Sequence, residues 1–118
     1  MVLRKGFTLV ELVVVVAIIG ILVTIAVPKF TAMTDGAKEA TFEANHRILI
    51  SAVSMYVADN GGDLPTVITD LDPYLPNGGT TALLGDPPGA TYTINSGALE
   101  SSFVPTNGGA TINKSYTP

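Results

Sequence analysis

The segment from Phe7 to Val27 constrains this chain more than any other, because only Thr8, Glu11, Gly20 and Thr24 interrupt its apolar side chains. At about 1.5 Å per residue, a helix of that length reaches roughly 31 Å, the hydrocarbon thickness of a bilayer. A buried strand is far shorter, and inside lipid every backbone group must be paired within the segment, so the run predicts one membrane-spanning helix. Arg4 and Lys5 precede it, whereas only Lys29 follows closely. That asymmetry places the N-terminus in the cytoplasm and the bulk of the chain outside. Thr24-Ile25-Ala26 would pass as a signal-peptide cleavage site, but the apolar run is too long for a secretory signal and contains an acid.

Composition narrows the function. The 118 residues allow one small domain, and six Lys+Arg against ten Asp+Glu give a net charge of -4, so no nucleic-acid partner is expected. A DNA-uptake role would need a basic stripe, yet residues 62–118 contain Lys114 as their only Lys or Arg. The absence of Cys excludes a disulfide framework, a thiol nucleophile and a thiolate zinc site. His46, the single histidine, has no second nitrogen ligand and reads as a surface or packing residue. Asp59, Asp63, Asp70 and Asp72 could offer oxygens to calcium, but without EF-hand spacing they read as caps and turns. No enzymatic activity, no metal and no cofactor are therefore expected.

Beyond Pro28, residues 28–60 read as an amphipathic helix whose stripe is Phe30, Met33, Ala37, Ala40, Ala44, Ile48, Ala52 and Met55. Asp35, Lys38, Glu39, Glu43 and Arg47 fill a solvated face, and Asp59-Asn60-Gly61-Gly62 ends the helix. The two segments together make one rod of roughly 75 Å. Residues 61–118 turn to Gly, Pro, Thr, Asn and Ser, with turns at Pro76-Asn77-Gly78-Gly79, Pro87-Pro88-Gly89, Gly97 and Asn107-Gly108-Gly109. Thr66 is placed to cap a short helical turn through Leu71. Strands are expected at 81–84, 90–95, 101–104 and 110–114, forming a small antiparallel sheet. So few residues cannot bury a core alone, so the sheet must pack on the helix between Phe42 and Tyr56. The fold class is α+β.

Glu11 is the most informative residue. A charge at mid-bilayer costs about 2.5–3.5 kcal/mol on insertion scales, less near the interface, and the span holds no Lys, Arg or His. Its partner must then come from another chain, or from an amine created by cleavage just before Phe7. The stretch Arg4-Lys5-Gly6-Phe7-Thr8-Leu9-Val10-Glu11-Leu12 closely resembles the class III prepilin processing site of type IV pilins and the related pseudopilins. The resemblance extends through Gly20 and Pro28 to about Asn60.

That resemblance implies a pilin-like fold and a set of roles. Residues 1–6 would be a leader removed by a membrane prepilin peptidase that cuts between Gly6 and Phe7 and methylates the new amine of Phe7. Residues 7–27 would be the transmembrane and polymerisation helix, 28–60 its continuation into the head, and 61–118 a β-rich head. Glu11 would meet the amine of Phe7 in a neighbouring or the same subunit. Gly20 to Pro28 would be the part of the helix that stretches on assembly, since Pro28 removes a helical N–H and Gly20 is a weak helix former; a simple proline kink is the alternative. The implied function is the major structural subunit of a type IV pilus, stored in the cytoplasmic membrane and then polymerised on the cell surface for adhesion or motility. A platform protein and a motor ATPase would be its assembly partners. The rival reading is the major pseudopilin of a type II secretion system, a periplasmic piston. A membrane-tethered hydrolase fails on the absence of a nucleophile–base pair in the head.

Overall fold

The apolar run and the segment after it form a single element, α1 (Leu9–Asp59), with Pro28 inside it. The structure is a computed structural model and describes residues 4–76, 79–106 and 108–118. The turn signals at Asn77-Gly78 and Asn107 lie outside the described residues. Two compact units divide the chain, Met1–Met33 and Thr34–Pro118.

In the first unit none of the described residues covers the helix. Val10, Ile18, Leu22 and Val27 stand 52–68% exposed, and the whole apolar window is unburied. Its hydroxyls are satisfied locally, Thr24 Oγ1 donating to the Ile21 carbonyl at 2.7 Å and Thr31 Oγ1 to that of Val27 at 3.1 Å. The segment therefore presents an apolar surface without stranded hydroxyl donors, as lipid or a bundle of like helices requires.

The second unit packs the remainder of α1 against a 3-10 helix (Ile68–Tyr74), the short helix α2 (Thr80–Leu83) and strands β1 (Ala90–Asn95), β2 (Ala98–Phe103) and β3 (Ile112–Tyr116). The sheet is antiparallel in the order β1-β2-β3, with Ala90 opposite Phe103 and Leu99 opposite Tyr116. Ser96 and Gly97 both take positive φ, 51° and 82°, at the two central positions of the β1–β2 turn, the twist a two-residue hairpin needs. The α+β architecture is thus the expected one, and strand 90–95 falls where β-branched and aromatic residues alternate. The strands expected at 101–104 and 110–114 are present with their bounds moved by a few residues.

Phe42, Leu49, Ala52, Val53, Leu71, Tyr92, Leu99 and Phe103 form the core. Phe42 stacks on Tyr92 and Phe103, with ring centroids 5.8 and 5.6 Å apart. The sheet does pack on α1 between Phe42 and Tyr56. The stripe of α1 that faces it, however, is not the expected one. Ala37, Ala40, Ala44, Ile48 and Met55 are exposed, and of the expected residues in this unit only Ala52 is buried. In the first unit, Phe30 and Met33 are likewise about three-quarters exposed. The larger side chains at 42, 49, 53 and 56 fill more volume against the sheet, so their face of the helix is the one buried.

Residues 81–84 are not a strand. Asp72 Oδ1 accepts both the backbone N–H and the hydroxyl of Thr80 at 2.6 Å, which starts α2 at Thr80. A side chain on Gly79 would place Cβ 2.5 Å from that same oxygen, and Gly79 sits at φ 63°, so the turn requires glycine. Thr66 does not cap the 3-10 helix either. Asp70 Oδ2 does, taking the N–H groups of Thr66 and Val67 at 2.8 and 3.1 Å. At the end of α1 the Gly62 N–H reaches back to the Val57 carbonyl at 2.9 Å with Gly61 at φ 67°, the glycine-dependent C-terminal turn that Asp59-Asn60-Gly61-Gly62 predicts.

Candidate assembly site

Residues 4–8 precede the helix, and α1 begins with Thr8 and Glu11 locked together. The Thr8 N–H donates to Glu11 Oε2 at 2.8 Å, the Thr8 hydroxyl donates to the same oxygen at 3.1 Å, and the Glu11 N–H donates to Thr8 Oγ1 at 3.2 Å. This is a reciprocal capping box, which satisfies donors that the first helical turn would otherwise leave bare. The negative carboxylate also sits at the positive end of the helix dipole. Glu11 therefore has hydrogen-bond partners inside its own segment, beside the counter-ion that is expected from elsewhere. They are hydrogen-bond donors and not a counter-ion; among the described residues no cation lies within ion-pair distance of it. The signal was present in the spacing Thr8-Leu9-Val10-Glu11, a Thr-x-x-Glu box opening an apolar run.

Replacing Thr8 by valine removes the hydroxyl, and with it two of these bonds, at a cost of about 1 kcal/mol. We expect the Glu11 amide of the chain in detergent micelles to exchange with solvent about fivefold faster, and Thr8→Ser to leave the rate unchanged.

Phe7 is 94% exposed and lines one surface depression with Val10, Glu11, Leu12, Val14 and Val15. Gly6 lies in the irregular segment before the helix, and a Cβ built there, or on Gly20, meets nothing within 4 Å. Neither glycine is thus required by packing against the described residues. Gly20 and Pro28 both lie inside a helix that runs unbroken through them.

The charged residues of α1 do more than solvate it. Asp35 is only 5% exposed, and its Oδ1 accepts the Thr106 N–H at 3.4 Å. Lys38 Nζ lies 3.7 Å from Asp35 and donates to Thr106 Oγ1 at 2.8 Å. Glu43 meets Lys114 of β3 at 2.9 Å and Arg47 at 3.7 Å. The Lys114 ammonium holds the Glu43 carboxyl below its ordinary range. So Asp35, Lys38 and Glu43 tie the helix to the C-terminal part of the chain, a correction to the expected solvated face; Glu39 and Arg47 remain exposed. Periodicity alone carries no signal for this, because the partners are some seventy residues away.

Asp70 and Asp72 serve as caps, and Asp59 accepts the Tyr74 hydroxyl at 2.7 Å. Among the described residues no cluster of His, Cys, Asp or Glu could hold a metal ion.

Residues 1–27 match the prokaryotic N-terminal methylation motif. The chain is 37% identical over 114 residues to the major component of the type IV narrow pilus of Thermus thermophilus, covering 91% of this chain and 90% of that protein. It is 39% identical over 57 residues to the type II secretion system core protein G of Pseudomonas aeruginosa, covering 48% of this chain and 40% of that one. With the type IV major pilin protein of Myxococcus xanthus the identity is 40% over 56 residues, covering 48% of this chain and 26% of the relative. By their descriptions these relatives are pilins and a secretion-system component, not enzymes.

Proposed function

Because the chain belongs to the type IV pilin family, we propose that it is the major structural subunit of a type IV pilus, without enzymatic activity, and that its exposed apolar helix is the polymerisation element. Similarity running through the head as well as the helix carries this reading, since the relative matched over 90% of its length is a pilus component. The secretion-system relative covers less than half of this chain. A periplasmic piston is accordingly the weaker reading.

In this account the precursor waits in the cytoplasmic membrane with Arg4 and Lys5 inside. A prepilin peptidase cuts between Gly6 and Phe7 and methylates the new amine. Gly6 suits that step because a residue without Cβ lets a protease approach the backbone closely. Cleavage also supplies what Glu11 lacks, a cation, because the ammonium of Phe7 appears one residue from the capping box. In the polymer, the Phe7 amine and Glu11 of neighbouring or the same subunits pair among apolar helices, and the pair acts as a check on axial register. The exposed Ala37, Ala40, Ala44, Ile48 and Met55 offer close-approaching small residues and apolar contacts to an adjacent subunit. Gly20 to Pro28 is the segment we assign to stretching on assembly. A platform protein and a motor ATPase supply direction and work, and the finished filament serves adhesion or motility at the cell surface.

Electron microscopy of sheared surface material, with this chain identified by mass spectrometry, tests the reading. Long thin filaments containing the chain are expected. A chain confined to the cell envelope, with no filaments in a producing strain, would favour the piston.

A further inference from the structure

We propose that the seam between α1 and strands β2 and β3 is an acid-released latch, with His46 as its trigger. His46 is 7% exposed, and its Nδ1 lies 2.8 Å from Oγ of Ser101, itself 3% exposed, on the central strand. Opposite Ser101 in the ladder stands Lys114 of β3, whose ammonium contacts Glu43 at 2.9 Å one helical turn before His46. Arg47 leans on the same Glu43. The charged groups that act on the ring are Lys114 from β3 and Glu43 from α1, with the exposed Arg47 paired to the same Glu43; β2 contributes the neutral Ser101.

A proton on His46 would add a third positive charge to this group and would have to be buried. The Ser101 hydroxyl can accept from the charged ring as readily as it donates to the neutral one, so this hydrogen bond does not itself resist protonation. Burial and the Lys114 ammonium do, and they hold the His46 pKa below its ordinary 6.5, against a smaller opposing pull from Glu43. The open state binds the proton more readily than the closed one. Closure is therefore fully favoured above the ordinary pKa and weakens as pH falls from 6.5 towards the lowered folded value, by at most about tenfold in the opening equilibrium per pH unit. Glu43 stays ionised through this window, because its own pKa is lowered.

β3 is where the seam gives. None of its side chains is fully buried. Beyond its ladder with β2 and the half-buried Ile112 and Tyr116 that pack against the core, it meets α1 through the Lys114–Glu43 pair and a 3.4 Å contact between Tyr116 Oη and Ser54 Oγ.

As the only histidine, His46 gives an unambiguous ring signal in an NMR titration of the full chain in detergent micelles. A midpoint below 6.5 is expected, and one at or above 6.5 would overturn the latch. Amide exchange across Ile112–Tyr116, corrected for intrinsic rates, should show opening rising up to about fivefold between about pH 6.5 and 5.5. His46→Gln should flatten that rise, and Lys114→Met should move the His46 midpoint upward. The same pH dependence persisting in His46→Gln would overturn the proposal. If that variant does not fold, the wild-type titration still decides.

Discussion

Filaments should fail to form when Glu11 is replaced by valine, while the protein still reaches the membrane. Valine removes a charge whose mid-bilayer cost is about 2.5–3.5 kcal/mol, so insertion of the variant is no worse than that of the wild type. What changes is assembly. The Phe7 amine loses its counter-ion in the helix bundle, and an unpaired buried charge costs about 3–5 kcal/mol, more than two powers of ten in an equilibrium. Membrane-fraction blots beside filament yield separate the two effects: an undiminished membrane pool with at least a hundredfold loss of polymer is the expected pattern. Thr8→Val should be much milder, because the backbone N–H of Thr8 still donates to Glu11. Glu11→Val filaments at the wild-type yield would show that pairing with the Phe7 amine is not what admits a subunit.

The second large effect lies in the head. Phe42 is fully buried and stacks on both Tyr92 and Phe103, so Phe42→Ala leaves a cavity between α1 and the sheet and should cost about 3–5 kcal/mol. Against a typical stability of about 5–15 kcal/mol for a domain, that is a substantial fraction. At about 4–8 °C per kcal/mol for a unit of this size, the melting midpoint followed by tyrosine circular dichroism should fall by roughly 12 °C or more. Ile48→Ala, on the exposed face of the same helix, should stay within about 0.5 kcal/mol in stability and reduce filament yield instead. A large stability loss at Ile48 would mean that the exposed face is not free for a neighbouring subunit.

Much of this was legible in the residues, and the failures have physical causes. The membrane-length helix could be read because Phe7 to Val27 leaves lipid or a helix bundle as the only cover for so much apolar surface. Strand 90–95 could be read because Thr, Tyr and Ile alternate between Gly89 and Gly97. The core-facing stripe of α1 differs from the expected one because the helix carries two apolar stripes at similar spacing. Periodicity identifies both without saying which one the sheet covers; the bulk of Phe42, Leu49 and Val53 decides it. Thr81 to Leu84 looked like a strand from its β-branched start, but one carboxylate eight residues back, Asp72, makes Thr80 the start of a helical turn. Local preference yielded to a tertiary contact there. The ties of Asp35, Lys38 and Glu43 were illegible because their partners, Thr106 and Lys114, are remote in sequence. Thr8 is different: its capping box with Glu11 is readable from the Thr-x-x-Glu spacing alone.

Under the proposed function, a subunit becomes competent to polymerise only when Phe7 gains a free amine beside Glu11. Intact mass and N-terminal sequencing of the chain recovered from sheared surface filaments test this most directly. The prediction is a chain beginning at a methylated Phe7. Filaments built from chains that still begin at Met1 would contradict it.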